Sequence, residues 1–377
     1  MRAPDNSLGA EIPQKTALIL VAVAINALEY LFPRIPVLPW LKPGIANAVT
    51  IIWIIRYGSL DAVLFTALRT WITSFYFGFS LVSLVLSLSG GLLATAGMGV
   101  LWLLLGKRKL LGLVGLGIAG AVMHNTGQLC GVYLFVASSA AVWYQIPFML
   151  VASLIFGAIT GLLSFSLVPL FYHGTVIGIN ENNGFSEARI LHRKSRLIAG
   201  MALLSASIAL VFLKSPGALG IAAACAALLA LVAARGRPGV LFYPITSFWM
   251  LFLFVAIMYG FFSYGQSVSG LSFVTHEGIR ETGLQWLRLF AWIELSTVLT
   301  RLSFNRIVLV SALRHSPLGR DTIAAALFAL ELLPGLFALV SRSTRLDLRR
   351  LIRQPKDTVV WAIKTLYSDV VALVKAP

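Results

Sequence analysis

Residues 110–180 contain no Asp, Glu, Lys or Arg, and neither do residues 238–276. A soluble domain carries about 25% charged residues, and tracts this long and uncharged have no place in one. A helix crosses the hydrocarbon core of a bilayer with roughly 20 apolar residues, so each tract has room for at least one crossing and the first for several. Lipid offers the backbone no hydrogen bonds, which makes helices the default spanning element. Runs such as residues 81–105 lack the apolar–polar alternation of a transmembrane barrel. The whole chain agrees with its tracts: 58% of residues are hydrophobic, 12% are charged, and the mean hydropathy is +0.88. The expected fold class is all-α, in a polytopic membrane protein.

The first half divides into six apolar segments, near 16–32, 44–55, 61–78, 81–105, 111–136 and 143–171. The second is short and follows Pro33, Pro36 and Pro39. Prolines remove donors and break helices, and irregular backbone at membrane depth lines cavities, so a re-entrant segment is expected here. The polar stretch around Asn180-Glu181-Asn182-Asn183-Gly184 is read as a linker, 179–196, between domains 1–178 and 197–377. Beyond it, apolar segments fall near 197–213, 218–234 and 240–264. From Gly278 onward Arg recurs along apolar faces, a pattern expected of interfacial amphipathic helices.

The net charge of +16 belongs to the loops. Lys107, Arg108 and Lys109 follow the fourth segment; Arg189, Arg193, Lys194 and Arg196 follow the sixth. Under the positive-inside rule both clusters are cytoplasmic, as is the N-terminus, in a cell membrane. Lipid, not nucleic acid, is the expected partner of this charge. Cys130 and Cys225 sit in apolar runs and read as packing residues.

No P-loop, clustered aspartates, Cys/His metal spacing or nucleophile elbow is found, so no catalytic or metal site and no cofactor is expected in the chain. The chemistry lies in polar groups inside apolar segments, which are costly at membrane depth. Arg69 stands well inside the third segment; it either holds an anionic group or pairs helices. His124, Asn125 and Gln128 lie together in the fifth, with His124 and Gln128 four apart on one helix face. They form either a site or interhelical glue. Lys42-Pro43-Gly44 precedes the second segment, whose first backbone N–H groups would either meet an anion or form an ordinary turn.

Residues 15–172 resemble the Gx transporter family of six-helix membrane proteins. The resemblance rests on Pro39-Trp40-Leu41-Lys42-Pro43-Gly44-Ile45-Ala46-Asn47, on Ser87-Leu88-Ser89-Gly90-Gly91-Leu92 and on His124-Asn125-Thr126-Gly127-Gln128-Leu129. That family is similar to the substrate-binding S components of energy-coupling-factor (ECF) transporters and carries an older label, heptaprenyl diphosphate synthase component I. The resemblance implies a six-helix S-component-like bundle with Lys42, Asn47, Arg69, His124, Asn125 and Gln128 as substrate contacts. Residues 197–353 resemble the transmembrane T component of the same transporters, through Glu277-Gly278-Ile279-Arg280, Leu284-Gln285-Trp286-Leu287-Arg288-Leu289, Leu299-Thr300-Arg301-Leu302-Ser303 and Leu333-Pro334-Gly335. Such components press two Ala-Arg-Gly motifs into paired ATPases. Here Ser341-Arg342-Ser343-Thr344-Arg345 stands where the first should fall, and the literal Ala234-Arg235-Gly236 lies elsewhere.

The expected function is therefore uptake of a small, anionic cofactor or precursor. Substrate binding and coupling share one chain, and ATP acts only through separate ABC-type ATPases contacted by Arg342, Arg345, Arg349 and Arg350. The alternatives are an accessory membrane subunit of polyprenyl diphosphate or quinone biosynthesis or of a flavin-based redox assembly, and a scaffold without substrate.

Overall fold

The computed structural model describes residues 8–29, 44–76, 81–106, 110–172, 194–262, 266–268, 271–302 and 319–343, with the single positions 108, 308 and 368. The expectations for Lys42, Arg345, Arg349 and Arg350 lie outside these residues, as does most of the linker. Arg342 lies in the last turn of the final described helix, where only the backbone is described.

The protein is an all-α membrane protein. Its described helices are α1 (Leu8–Glu29), α2 (Asn47–Tyr57), α3 (Ser59–Tyr76), α4 (Leu81–Leu101), α5 (Leu113–Gly131), α6 (Ile146–Tyr172), α7 (Lys194–Ala209), α8 (Pro216–Ala233), α9 (Tyr243–Phe262), α10 (His276–Arg301) and α11 (Arg320–Ser343). Single π-turns extend α4 over Trp102–Gly106 and α5 over Val132–Val136. Among the described residues four stretches are long and apolar enough to cross a membrane: Leu81–Gly106, Ala140–Val168, Pro216–Ala233 and Pro238–Phe262. The short second segment is the 11-residue α2. At about 16 Å it reaches roughly half of a 30 Å hydrocarbon core, and residues 47–54 are buried on every side. Gly58, at φ 93°, reverses the chain into α3 in one residue, a backbone conformation that β-carbons resist.

Without water, helices in lipid associate through close packing. The α5–α6 contact shows how the sequence provides it. A β-carbon on Gly117 would meet the Gly157 carbonyl oxygen at 2.4 Å, and one on Gly161 would meet Val114 Cα at 2.4 Å. The glycines therefore set the separation of the two backbones. Asn125 then bonds α5 to α6, donating to Met149 O at 3.2 Å and to Ser153 Oγ at 2.8 Å.

Two main cores result. One joins α1, α2 and α3 to α11, with Trp53, Phe65, Ile72, Ile323 and Leu333 fully buried. The other joins α4 and α5 to α8, α9 and α10. Both draw on sequence from either side of the polar linker, and the amphipathic α10 and α11 bury their apolar faces on other helices. α10 also completes the end of α7. Trp292 Nε1 donates to Ser207 O at 2.6 Å, and Arg288 donates to Leu210 O and Leu213 O at 3.0 and 2.6 Å, satisfying carbonyls a helix terminus leaves open. In the other direction Leu81 N, at the start of α4, donates to Ser296 Oγ at 2.7 Å.

Two local features differ from expectation. Before α10 the chain forms an antiparallel hairpin, β1 (Ser267–Val268) with β2 (Leu271–Thr275), inside a tract read only as apolar. The Ala234-Arg235-Gly236 triplet is the terminator of α8: Arg235 and Gly236 have φ 55° and 76°, and Gly236 N donates back to Leu231 O at 2.9 Å. That is the usual geometry of a helix C-cap.

Candidate functional site

Arg69 occupies the middle of α3 and is 4% exposed. Its neighbours are built in layers. Trp53 of α2 stacks on Phe65 at 4.1 Å between ring centroids, and the Arg69 guanidinium lies 5.6 Å from the Phe65 ring. Arg69 Nη2 donates to Asn47 Oδ1, in the first turn of α2, at 3.3 Å. Thr73, one turn on, donates to Arg69 O at 2.8 Å and receives Asn26 Nδ2 from α1 at 3.4 Å. Thus three helices converge on one guanidinium.

A cavity of about 40 Å³ opens beside it. Its walls include Asn26 and Glu29 from α1, Asn47 from α2, Arg69 and Ser74 from α3 and His124 from α5. Room of this size holds about three water-sized groups. A smaller cavity of about 10 Å³ shares Gly44, Asn47 and His124 with the first and continues past Gly117 and Asn125 toward α6. The two share walls as one branched space, bordered by the six helices α1 to α6.

Of the residues singled out by sequence, Asn47, Arg69, His124 and Asn125 all line this space. Gln128 is 1% exposed but lines neither branch. It packs where a β-carbon on Gly90 would stand, 2.8 Å from its Cγ, so α4 and α5 close over it.

Sequence reasoning missed Asn26 and Glu29. They are three residues apart and share a helix face, and that spacing at the end of an otherwise apolar segment was the available signal. Glu29 also answers the question left open at the start of α2. Ala46 N donates to Glu29 Oε1 at 3.0 Å, and Asn47, Ala48 and Val49 N–H groups bond to Gly44, Ile45 and Ala46 carbonyls. The anion at this helix end is the chain's own carboxylate.

A second polar centre lies at the far end of α1. Lys15 Nζ is 3.1 Å from Asp61 Oδ2 and donates to Thr322 Oγ1 of α11 at 3.1 Å. Thr322 Oγ1 donates to Asp61 Oδ1 at 2.8 Å, and Trp53 Nε1 donates to Asp61 Oδ2 at 3.1 Å. Every member of this cluster is partnered, which marks it as structural. Arg69 is not so served: its Nε and Nη1 are enclosed and have no hydrogen-bond partner among the described residues. A charged group retained at membrane depth without full pairing is a functional position by default.

Residues 18–167 match the family described as heptaprenyl diphosphate synthase component I. The match runs from α1 into α6 and includes every residue lining the branched cavity. No curated protein and no solved structure matches the chain.

Proposed function

We propose that this protein is a membrane-embedded binding subunit that takes up a small cofactor or precursor in the manner of energy-coupling-factor transporters. The branched cavity is its substrate site. The observation that carries this reading is convergence. Asn47, Arg69 and the adjacent His124 and Asn125 stand in three separate stretches of apolar sequence, and they meet around one space. Structural glue would give scattered pairs. A space lined by groups from six helices suits a bound molecule, and its closing would be felt by all six.

In this reading ATP acts through separate ABC-type ATPases. The C-terminal half passes their motion to the cavity, through α11 against α1 and α3, whose residues border the site. A ligand shifts such an equilibrium only through contacts that differ between states, and Arg69 is the group best placed to make them. The coupling residues would be Arg342, Arg345, Arg349 and Arg350, and the membrane a cell membrane with the N-terminus on the cytoplasmic side.

The experiment is purification of the full chain in mild detergent, with mass spectrometry of co-purifying proteins and small molecules. Recovery of ABC-type ATPases that is lost on Arg342→Glu with Arg345→Glu supports uptake, and a released cofactor identifies the cargo. The family match favours one other reading, an accessory subunit of polyprenyl diphosphate synthesis. Recovery of a prenyl synthase without ATPases would establish that reading and end the first.

A further inference from the structure

We infer that the branched cavity receives an oxyanion, a carboxylate or phosphate group, on an unpartnered edge of the Arg69 guanidinium. The inference rests on the cavity being a binding site and names the chemistry of what it binds.

A guanidinium has five N–H groups and stays charged. Among the described residues Arg69 makes one side-chain hydrogen bond, from Nη2 to Asn47, while Nε and Nη1 are enclosed without partners. Nη2 carries two hydrogens. Whichever one Asn47 takes, the other lies parallel to an N–H of Nε or of Nη1. One complete two-pronged edge is therefore left, and that edge matches the two oxygens of a carboxylate or phosphate. Asn47 presents its carbonyl oxygen to the guanidinium, so it orients the cation and leaves its charge in place. Among the described residues no carboxylate lies within ion-pair distance of Arg69. The nearest acidic wall residue, Glu29, is drawn toward the start of α2 by Ala46 N. Isolated charge in an apolar surrounding is costly, and an incoming oxyanion relieves that cost at its own point of contact.

The class of anion follows from size. The main cavity, about 40 Å³, admits a head group of a few atoms. This favours a carboxylate or a single phosphate group over a diphosphate, with the Ser74 hydroxyl also at the wall.

The test uses the full chain in neutral detergent and follows its thermal midpoint with acetate, inorganic phosphate or pyrophosphate, against chloride at equal ionic strength. Acetate or phosphate should raise the midpoint by about 2–4 °C and pyrophosphate by less. Arg69→Gln should abolish the response. Asn47→Asp sets a fixed carboxylate against Arg69, so it should raise the ligand-free midpoint and remove the response; this variant decides the matter if Arg69→Gln fails to fold. Nanodiscs separate the sources. An Arg69-dependent rise only with phosphatidylglycerol identifies a lipid head group, and a rise with soluble anions in phosphatidylcholine identifies a free molecule. No anion response in the native chain, or an undiminished one in Asn47→Asp, overturns the inference. Its failure is distinct from that of the uptake reading: ATPases and a neutral co-purified ligand would leave uptake standing and remove the oxyanion. An Arg69-dependent anion response with no ATPase would do the reverse.

Discussion

Nζ of Lys15 lies 3.1 Å from Oδ2 of Asp61, and both reach the same hydroxyl, Thr322 Oγ1, on a helix that enters some 300 residues later. The pair closes α1 onto α3 at the end opposite the cavity. Removing one partner of a buried pair leaves the other charged and unpaired, at a cost of several kcal/mol. Lys15→Met should destabilise the protein by roughly 3 kcal/mol, the lower end of the range because Trp53 and Thr322 still serve Asp61. Lys15→Met with Asp61→Asn should recover much of that loss. Thermal unfolding of the two variants and Asp61→Asn in detergent checks it; a loss in the double variant equal to the sum of the two single losses would show that the pair contributes nothing.

Glu294 presents the opposite case. It is fully buried in α10, and among the described residues neither carboxylate oxygen has a hydrogen-bond partner. Glu294→Gln removes a desolvated acid and keeps its shape, so the midpoint should hold or rise, by an amount equivalent to about 1–3 kcal/mol. A clear fall in midpoint would mean that the carboxylate is held by a contact this geometry does not contain.

Gly161 faces Val114 across the α5–α6 contact. Gly161→Val places branched carbons where one β-carbon already meets Val114 Cα at 2.4 Å. The helices must separate, at about 1–3 kcal/mol or more. Because Gly117, Ala121 and Asn125 on α5 also line the smaller branch of the cavity, ligand binding should weaken along with stability. Unchanged affinity in a destabilised variant would uncouple the helix contact from the site.

Ser296→Ala should loosen the start of α4. The Leu81 amide donates to this hydroxyl, and a helix N-terminus has no intrahelical acceptor to offer in its place. The expected cost is about 1 kcal/mol, with faster hydrogen exchange confined to the first turn of α4. Exchange that rises over the whole of α10 instead would point to lost packing, since Ser296 Oγ also donates to Trp292 O within that helix.

The later apolar segments of the first half were legible to within a few residues, because a charge-free run of helical length has one interpretation in lipid. Residues 81–105 became α4 with its π-turn, and 143–171 became α6 preceded by a single 3₁₀ segment over Ala140–Gln145, whereas α1 begins at Leu8, eight residues before the segment expected from 16, because polar residues continue its helix. Arg69, His124 and Asn125 were legible as candidates for the same reason: polar groups stand out against such a background. Glu29 did not stand out, because it closes an apolar segment, where an acidic residue looks like an interface marker. Its role depends on the return of Ala46 beside it, which no local pattern encodes. The hairpin Ser267–Thr275 was hidden because it carries no charge and lies in the same uncharged tract as the helix before it. The position of α11 was also beyond reach. Its alternation of Ala, Leu and charge says that one face is buried, and nothing in it names α1 as the surface.

That placement bears on how the protein is made. The N-terminal bundle is not closed by its own six segments: one side of its core is Ile323, Ala326, Leu327 and Leu333. At about 5–20 residues per second, a ribosome needs roughly 15–60 s to travel from Lys15 to Thr322. Through that interval α1 waits in the bilayer with its interhelical face turned to lipid, and Lys15 waits without Thr322. The start of the chain thus reaches its final neighbours last, and truncation anywhere before α11 should expose the first helix to the quality-control machinery of the membrane.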